Sequence, residues 1–205
     1  MVENISVISQ NAIRIEGDKI IYFDPFKIDK NYNDADYIFI THSHYDHFSK
    51  EDINKVKKDS TRIIITEDLI DEIDIKEYIA VKPNNNYEID DISFSTVPAY
   101  NIGKDFHKKD NNWVGYIVNI DNKKIYVAGD TDNIPELENI SCDIAFVPVG
   151  GTYTMTYKEA ASLIEKINPK LAIPTHYKTI VGTIEDAYNF KEELNKKVDV
   201  EILLK

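Results

Sequence analysis

Short runs of β-branched and aromatic residues dominate the first 128 residues, and a strand-then-helix alternation replaces them after residue 142. The runs at 5–8, 12–16 and 19–23 read as strands, with Gly17-Asp18 as a hairpin turn between the last two. A compact apolar run at 37–41 follows. Ser49 and Asp52 form a capping-box pair that opens a helix over 50–58. Residues 62–66 read as a buried strand and 67–78 as short helical turns. Strands at 91–98, 113–120 and 124–128 continue the series, with Asp121-Asn122 turning the chain between the last two.

Beyond them comes a strand at 143–148, then a helix capped by Thr156 and Glu159 that stops near Asn168-Pro169. A strand at 171–174, a helix at 183–197 and a strand at 198–203 complete the chain. A strand-rich part followed by an α/β part suits one domain over 1–205, with helices outside two packed sheets. Periodicity alone leaves the topology open.

Composition narrows the function. Hydrophobic residues make up 42% of the 205, enough for a sizeable core. The single cysteine, Cys142, cannot form an internal disulfide and reads as a small packing residue. A net charge of −12 argues against a general nucleic-acid binder, which needs a basic footprint. The first residues lack the basic start and apolar stretch of a signal peptide, and no apolar run approaches the roughly 20 residues of a membrane span. A cytoplasmic protein with a small-molecule partner and no membrane is therefore expected, with oligomeric state left open.

Three of the five histidines fall within residues 42–47, in Thr41-His42-Ser43-His44-Tyr45-Asp46-His47 between a strand and a helix. Three imidazoles and a carboxylate from one turn are ligands that zinc, iron or manganese accept. Alternate residues of an extended segment face the same way, so His42 and His44 can share one ion, while the turn sends Asp46 and His47 toward another. Gly129-Asp130 and Thr175-His176 place a carboxylate and an imidazole at two further strand ends.

The order His42-x-His44-x-Asp46-His47, then Gly129-Asp130, then His176 resembles the metallo-β-lactamase superfamily. It is most similar to the small metal-dependent hydrolases related to ascorbate-phosphate lactonases. Supporting phrases are Tyr22-Phe23-Asp24-Pro25, Pro98-Ala99-Tyr100-Asn101, Gly129-Asp130-Thr131-Asp132, the stretch from Pro148 to Met155, and Ile173-Pro174-Thr175-His176-Tyr177. The resemblance implies an α/β chain in a four-layer αβ/βα sandwich. It implies two divalent ions, zinc by default and manganese or iron as alternatives. His42 and His44 would bind the first, Asp46, His47 and His176 the second, and Asp130 would bridge them. A metal-bound hydroxide would then cleave a lactone or phosphodiester, with Asp46 able to relay a proton.

One position departs from that pattern. Where the superfamily usually has a further histidine after the strand at 91–98, this chain has Ala99-Tyr100-Asn101, and the nearest histidine is His107. His107 is expected near the metals or substrate, with Asn101 as a poorer oxygen ligand or a hydrogen-bonding support. Asp24 is expected to orient a ligand histidine, and Gly150-Gly151 to permit close backbone passage. Tyr153, Tyr177 and Tyr100 are candidates for substrate contact. The alternatives are a nuclease or RNA phosphodiesterase of the same fold and a non-catalytic metal-binding or sensing protein. A nuclease is disfavoured by charge and by the short chain.

Overall fold

The computed structural model describes residues 3–73 and 77–204. The first sheet has six strands in chain order: β1 (Ile5–Ser9), β2 (Ala12–Glu16), β3 (Ile20–Phe23), β4 (Ala35–Phe39), β5 (Lys57–Thr66) and β6 (Tyr78–Val81). The second has seven, again in chain order: β7 (Asn86–Ile89), β8 (Ile92–Pro98), β9 (Val114–Ile120), β10 (Lys123–Val127), β11 (Ile144–Pro148), β12 (Leu171–Thr175) and β13 (Asp199–Val200). Each sheet begins as an antiparallel meander and becomes parallel partway across, at β3–β4 in the first and β10–β11 in the second. Parallel neighbours need crossovers. Helices α1 (Lys50–Val56), α2 (Tyr157–Ile167) and α3 (Ile184–Glu193) supply three of them.

Period-two alternation sorts the strands between two cores. Ile21, Phe23, Tyr37, Phe39 and Ile64 face the second sheet, while Tyr22, Ile38, Ile63 and Ile65 pack outward with Ile53 and Val56 of α1. Aromatic rings cross between the sheets: Phe39 meets Phe94 and Tyr116 edge-on, each at 5.1 Å. Apolar residues of α2 and α3 join the inter-sheet core from the far side of the second sheet. The result is the expected four-layer αβ/βα sandwich. Cys142 packs at its margin, where burial and then Asp143 push the thiol up to about 12.

Several boundaries differ from the sequence reading. Helix α1 stops at Val56 because the chain extends at once into β5, which begins at Lys57. Of the span 67–78, Glu67–Leu69 is a single 3₁₀ turn, Tyr78 starts β6, and residues 74–76 lie outside the described residues. Strand β7 has no counterpart in the reading. The final helix is shorter than expected, and the last strand pairs over two residues only.

The inter-sheet seam reaches the first sheet's polar rim through Tyr116, whose buried hydroxyl donates to Ile40 O at 2.7 Å. Val114 N donates to Thr41 O at 3.2 Å beside it. Tyr116→Phe should therefore cost about 1 kcal/mol in chemical denaturation. An unchanged unfolding midpoint would show that this cross-sheet bond contributes nothing net.

Candidate metal centre

Within each sheet the site-bearing strands run in one sense, and their C-terminal ends meet along one rim. Gln10 follows β1, Asp24 follows β3, and the 41–47 turn follows β4. From the second sheet, Asn101 and His107 follow β8, Asp130 follows β10 and His176 follows β12. Gln10, Asp24 and His176 adopt left-handed backbone, with φ of 44°, 43° and 56°. Such φ values cost roughly 1–2 kcal/mol each outside glycine, so surrounding bonds must hold them. His176 N donates to Gln10 O at 2.9 Å, and Asp24 N to Phe39 O at 2.9 Å. Two glycines permit the approach. A Cβ on Gly129 would meet Thr41 Cβ at 3.0 Å, and one on Gly150 would collide with His176 O.

Hydrogen bonds behind the histidines fix which ring nitrogen faces the centre. Asp24 is wholly buried and accepts from Asn11 Nδ2 (2.8 Å), Thr41 N (2.8 Å) and Thr41 Oγ1 (2.7 Å). His47 Nδ1 lies 2.7 Å from the same carboxylate and so carries its proton there, turning Nε2 toward Asp130. Thr41 Oγ1, its own proton committed to Asp24, is free to accept from His42 Nδ1 at 3.0 Å. Asn101 Nδ2 donates to Asp132 Oδ1 (3.1 Å) and Tyr153 O (2.9 Å), which fixes its amide orientation. Its Oδ1 then accepts from His107 Nδ1 at 2.9 Å, leaving His107 Nε2 to face Asp130 at 3.2 Å.

Among the described residues three compact donor groups result: His42, His44 and His107; His42, His47 and Asp130; and Asp46, His47 and His176. In each group one ligand atom per residue lies within 4.8 Å of the others. Among the described residues His47 Nε2, His107 Nε2 and Asp130 Oδ1 are buried without a hydrogen-bond partner. Yet His47 Nε2 is 3.3 Å from Asp130 Oδ1. His42 Nε2 similarly faces His44 Nδ1 at 3.1 Å. Converging, unpartnered imidazole and carboxylate atoms fit divalent cations.

Charge within the cluster is divided. Burial, then His47, lowers the pKa of His42 well below its ordinary value, and burial, then His107, lowers His44. Burial opposes a charge on His47 too, but Asp130 and then Asp24 outweigh it and hold its pKa well above normal. Asp130 and Asp46 likewise overcome the burial of His176, whose pKa is pushed up to about 9. For Asp130, burial is outweighed by His176 and His47, which keep the carboxyl well below the usual range. Protons therefore occupy places that cations could take, and cation binding would release them.

The sequence-selected residues do not all come to the centre. Tyr153 borders a crevice of about 200 Å³ that is also lined by His44, Asp46, His107, Asp130 and His176. Tyr177 is a correction: it is wholly buried and donates to Leu204 O at 2.6 Å, so its hydroxyl is unavailable to a substrate. Tyr100 instead donates to Glu136 at 2.9 Å. Sequence reasoning missed Gln10, buried with Nε2 3.4 Å from Asp46 Oδ2 and 3.2 Å from His176 Nε2. It also missed Asn11, Thr41 and Trp113, whose ring lies 4.8 Å from those of both His42 and His44. Gln10-Asn11 carries the composition of any solvated turn, so no local signal marked it.

A family model described as a beta-lactamase superfamily domain matches residues 4–176. The UPF0173 metal-dependent hydrolase of Pyrococcus abyssi is 33% identical over 221 residues, covering 97% of this chain and 95% of that protein. A UPF0173 relative from Natranaerobius thermophilus is 31% identical over 201 residues, covering 91% and 88%. The chain belongs to the beta-lactamase superfamily, within the UPF0173 metal-dependent hydrolases. A crystal structure from Parabacteroides distasonis superposes with TM-score 0.81 at 30% identity, covering 97% of this chain and 91% of that one. Igni18, a metallo hydrolase from Ignicoccus hospitalis, shares the fold with TM-score 0.81 at 22% identity, covering 97% and 93%.

Because Asp24 fixes the His47 tautomer, the isosteric Asp24→Asn should weaken metal binding about 10- to 100-fold. Competition with a chromophoric chelator measures the affinity, and the single tryptophan, Trp113, offers a fluorescence readout beside His42 and His44. Wild-type affinity in a folded Asp24→Asn protein would remove this role.

Proposed function

We propose that the chain hydrolyses a small ester-like substrate, a lactone or a phosphodiester, with two divalent ions. In this reading His42, His44 and His107 hold one ion, and Asp46, His47 and His176 hold the other. Asp130 spans the two groups, and zinc is the default metal, with manganese or iron as alternatives. The observation that carries the reading is Asp130 itself, whose oxygens lie 3.1–3.3 Å from Nε2 of His176, His107 and His47. A carboxylate facing imidazoles of both groups is suited to a shared position between ions.

Bound ions of this kind polarise the reacting oxygens and bring the pKa of water toward neutrality. The chain's own residues supply order. Asp24 and Asn101 hold the Nδ1 protons of His47 and His107 and so keep each Nε2 available. Asp46 borders the crevice with Oδ2 3.5 Å from Nε2 of both His47 and His176. Its Oδ1 is the oxygen left to take up a proton and return it to a leaving group.

Chelation should abolish turnover on a panel of lactones, phosphodiesters, thioesters and RNA, and restored metal should recover it. His107→Ala should lower kcat/KM about 100-fold, and Asn101→Ala less, since the imidazole remains. Metal-loaded protein inert across the whole panel would instead favour a non-catalytic metal-binding role. RNA as the best substrate would favour the nuclease.

A further inference from the structure

The mouth of the crevice has a chemistry that its ligand residues do not explain. Apart from those residues it is lined by Tyr45, Phe106, Tyr153 and Ile180. Tyr45, Phe106 and Ile180 are 67%, 48% and 38% exposed, and they are three of the six exposed large apolar residues among those described. Scattered exposed apolar residues need no explanation, but their convergence on one small opening does. The wall is also ordered. Phe106 meets Tyr153 edge-on at 4.7 Å, and Tyr45 meets Phe26 edge-on at 6.0 Å.

Among the described residues, no lysine or arginine lines the opening. The lysines of the loop that carries Phe106 are turned to other partners. Lys104 Nζ donates to Asp132 Oδ1 at 2.7 Å and Thr154 O at 2.8 Å, and Lys109 pairs with Glu136 at 2.6 Å. Lys108 faces Asp105 at 3.9 Å, and Lys178, exposed near Ile180, is not part of the lining. A phosphodiester keeps its negative charge in the bound state and gains from a cationic side chain. A neutral ester gains instead from apolar walls.

We propose that this crevice selects neutral carboxylic esters or lactones bearing a short apolar acyl chain, with Phe106, Tyr153 and Ile180 gripping that chain. The inference rests on the hydrolase reading for the reaction, and narrows it to acyl chemistry. Water adds its oxygen to the acyl carbon, the bond from that carbon to the alkoxy oxygen breaks, and one proton passes to the departing alkoxide. The products are a carboxylic acid and an alcohol, joined as one hydroxy acid when the substrate is a lactone. The volume of about 200 Å³ limits the acyl group.

The test uses the full metal-loaded chain with p-nitrophenyl acetate, butyrate and hexanoate, and with bis(p-nitrophenyl) phosphate. Each added methylene should raise kcat/KM about fourfold until the crevice is full, and the phosphodiester should be the poorest substrate. Phe106→Ala and Ile180→Ser should flatten that gradient. Ligand-observed NMR with hexanamide and dimethyl phosphate gives a second readout that needs no turnover. Hexanamide should show saturation transfer that weakens in both variants, and dimethyl phosphate should show less. Selective hexanamide binding without chelator-sensitive turnover would sink the hydrolase reading and leave the apolar selection standing. A flat chain-length series, or preference for either phosphodiester, would overturn the selection.

Discussion

Asp130 sets the central constraint. A carboxylate only 4% exposed cannot keep its charge without cationic company, because desolvation costs far more than an ordinary hydrogen bond returns. This protein answers by surrounding it with Nε2 atoms of three histidines brought from three different strand ends. Those imidazoles are held in turn by acceptors behind them, Asp24 for His47 and Asn101 for His107. Gly129, next to Asp130, leaves room for Thr41 at the start of the 41–47 turn to pack against it. Removing the central charge would leave much of this polar layer without a purpose.

Much of the site was legible because its residues sit where extended runs end. A strand followed by His-x-His-x-Asp-His, by Gly-Asp or by Thr-His is recognisable without knowing how the strands are ordered. What resisted reading was anything depending on how a loop curls or on contact between distant strand ends. From sequence, Asn101 could be an oxygen ligand or a hydrogen-bonding support, with His107 six positions on, and nothing local chose between the two. In the folded chain Asn101 N donates to His107 O at 2.7 Å, the loop curls, and the amide supports the imidazole. Gln10 and Asn11 were invisible for the same reason, since their partners lie 13 or more residues away. Tyr177 misled because its neighbour His176 turns through a left-handed residue and the following ring enters the core.

The fold was readable in class and less so at its margins. The central strand β11 is a continuous apolar run buried on both faces, and β4 departs from that pattern only at Asp36. Strand β7, with sequence Asn-Tyr-Glu-Ile, is half exposed at a sheet edge and looks polar in isolation. The two-residue β13 at the other edge is almost all connection. Edge strands depend on their neighbour for definition, and a local pattern cannot supply one.

Both sheets change from antiparallel to parallel partway across, and each contributes part of the donor set at the shared rim. His42, His44, Asp46 and His47 come from the first sheet, and His107, Asp130 and His176 from the second. An ion held here would act as a clasp between two halves of the chain that are otherwise joined mainly by apolar contact. Its binding free energy would add to the cohesion of the sandwich, growing as the logarithm of free metal over the dissociation constant. Metal supply in the cell would then govern how firmly the halves stay shut as well as whether chemistry occurs between them.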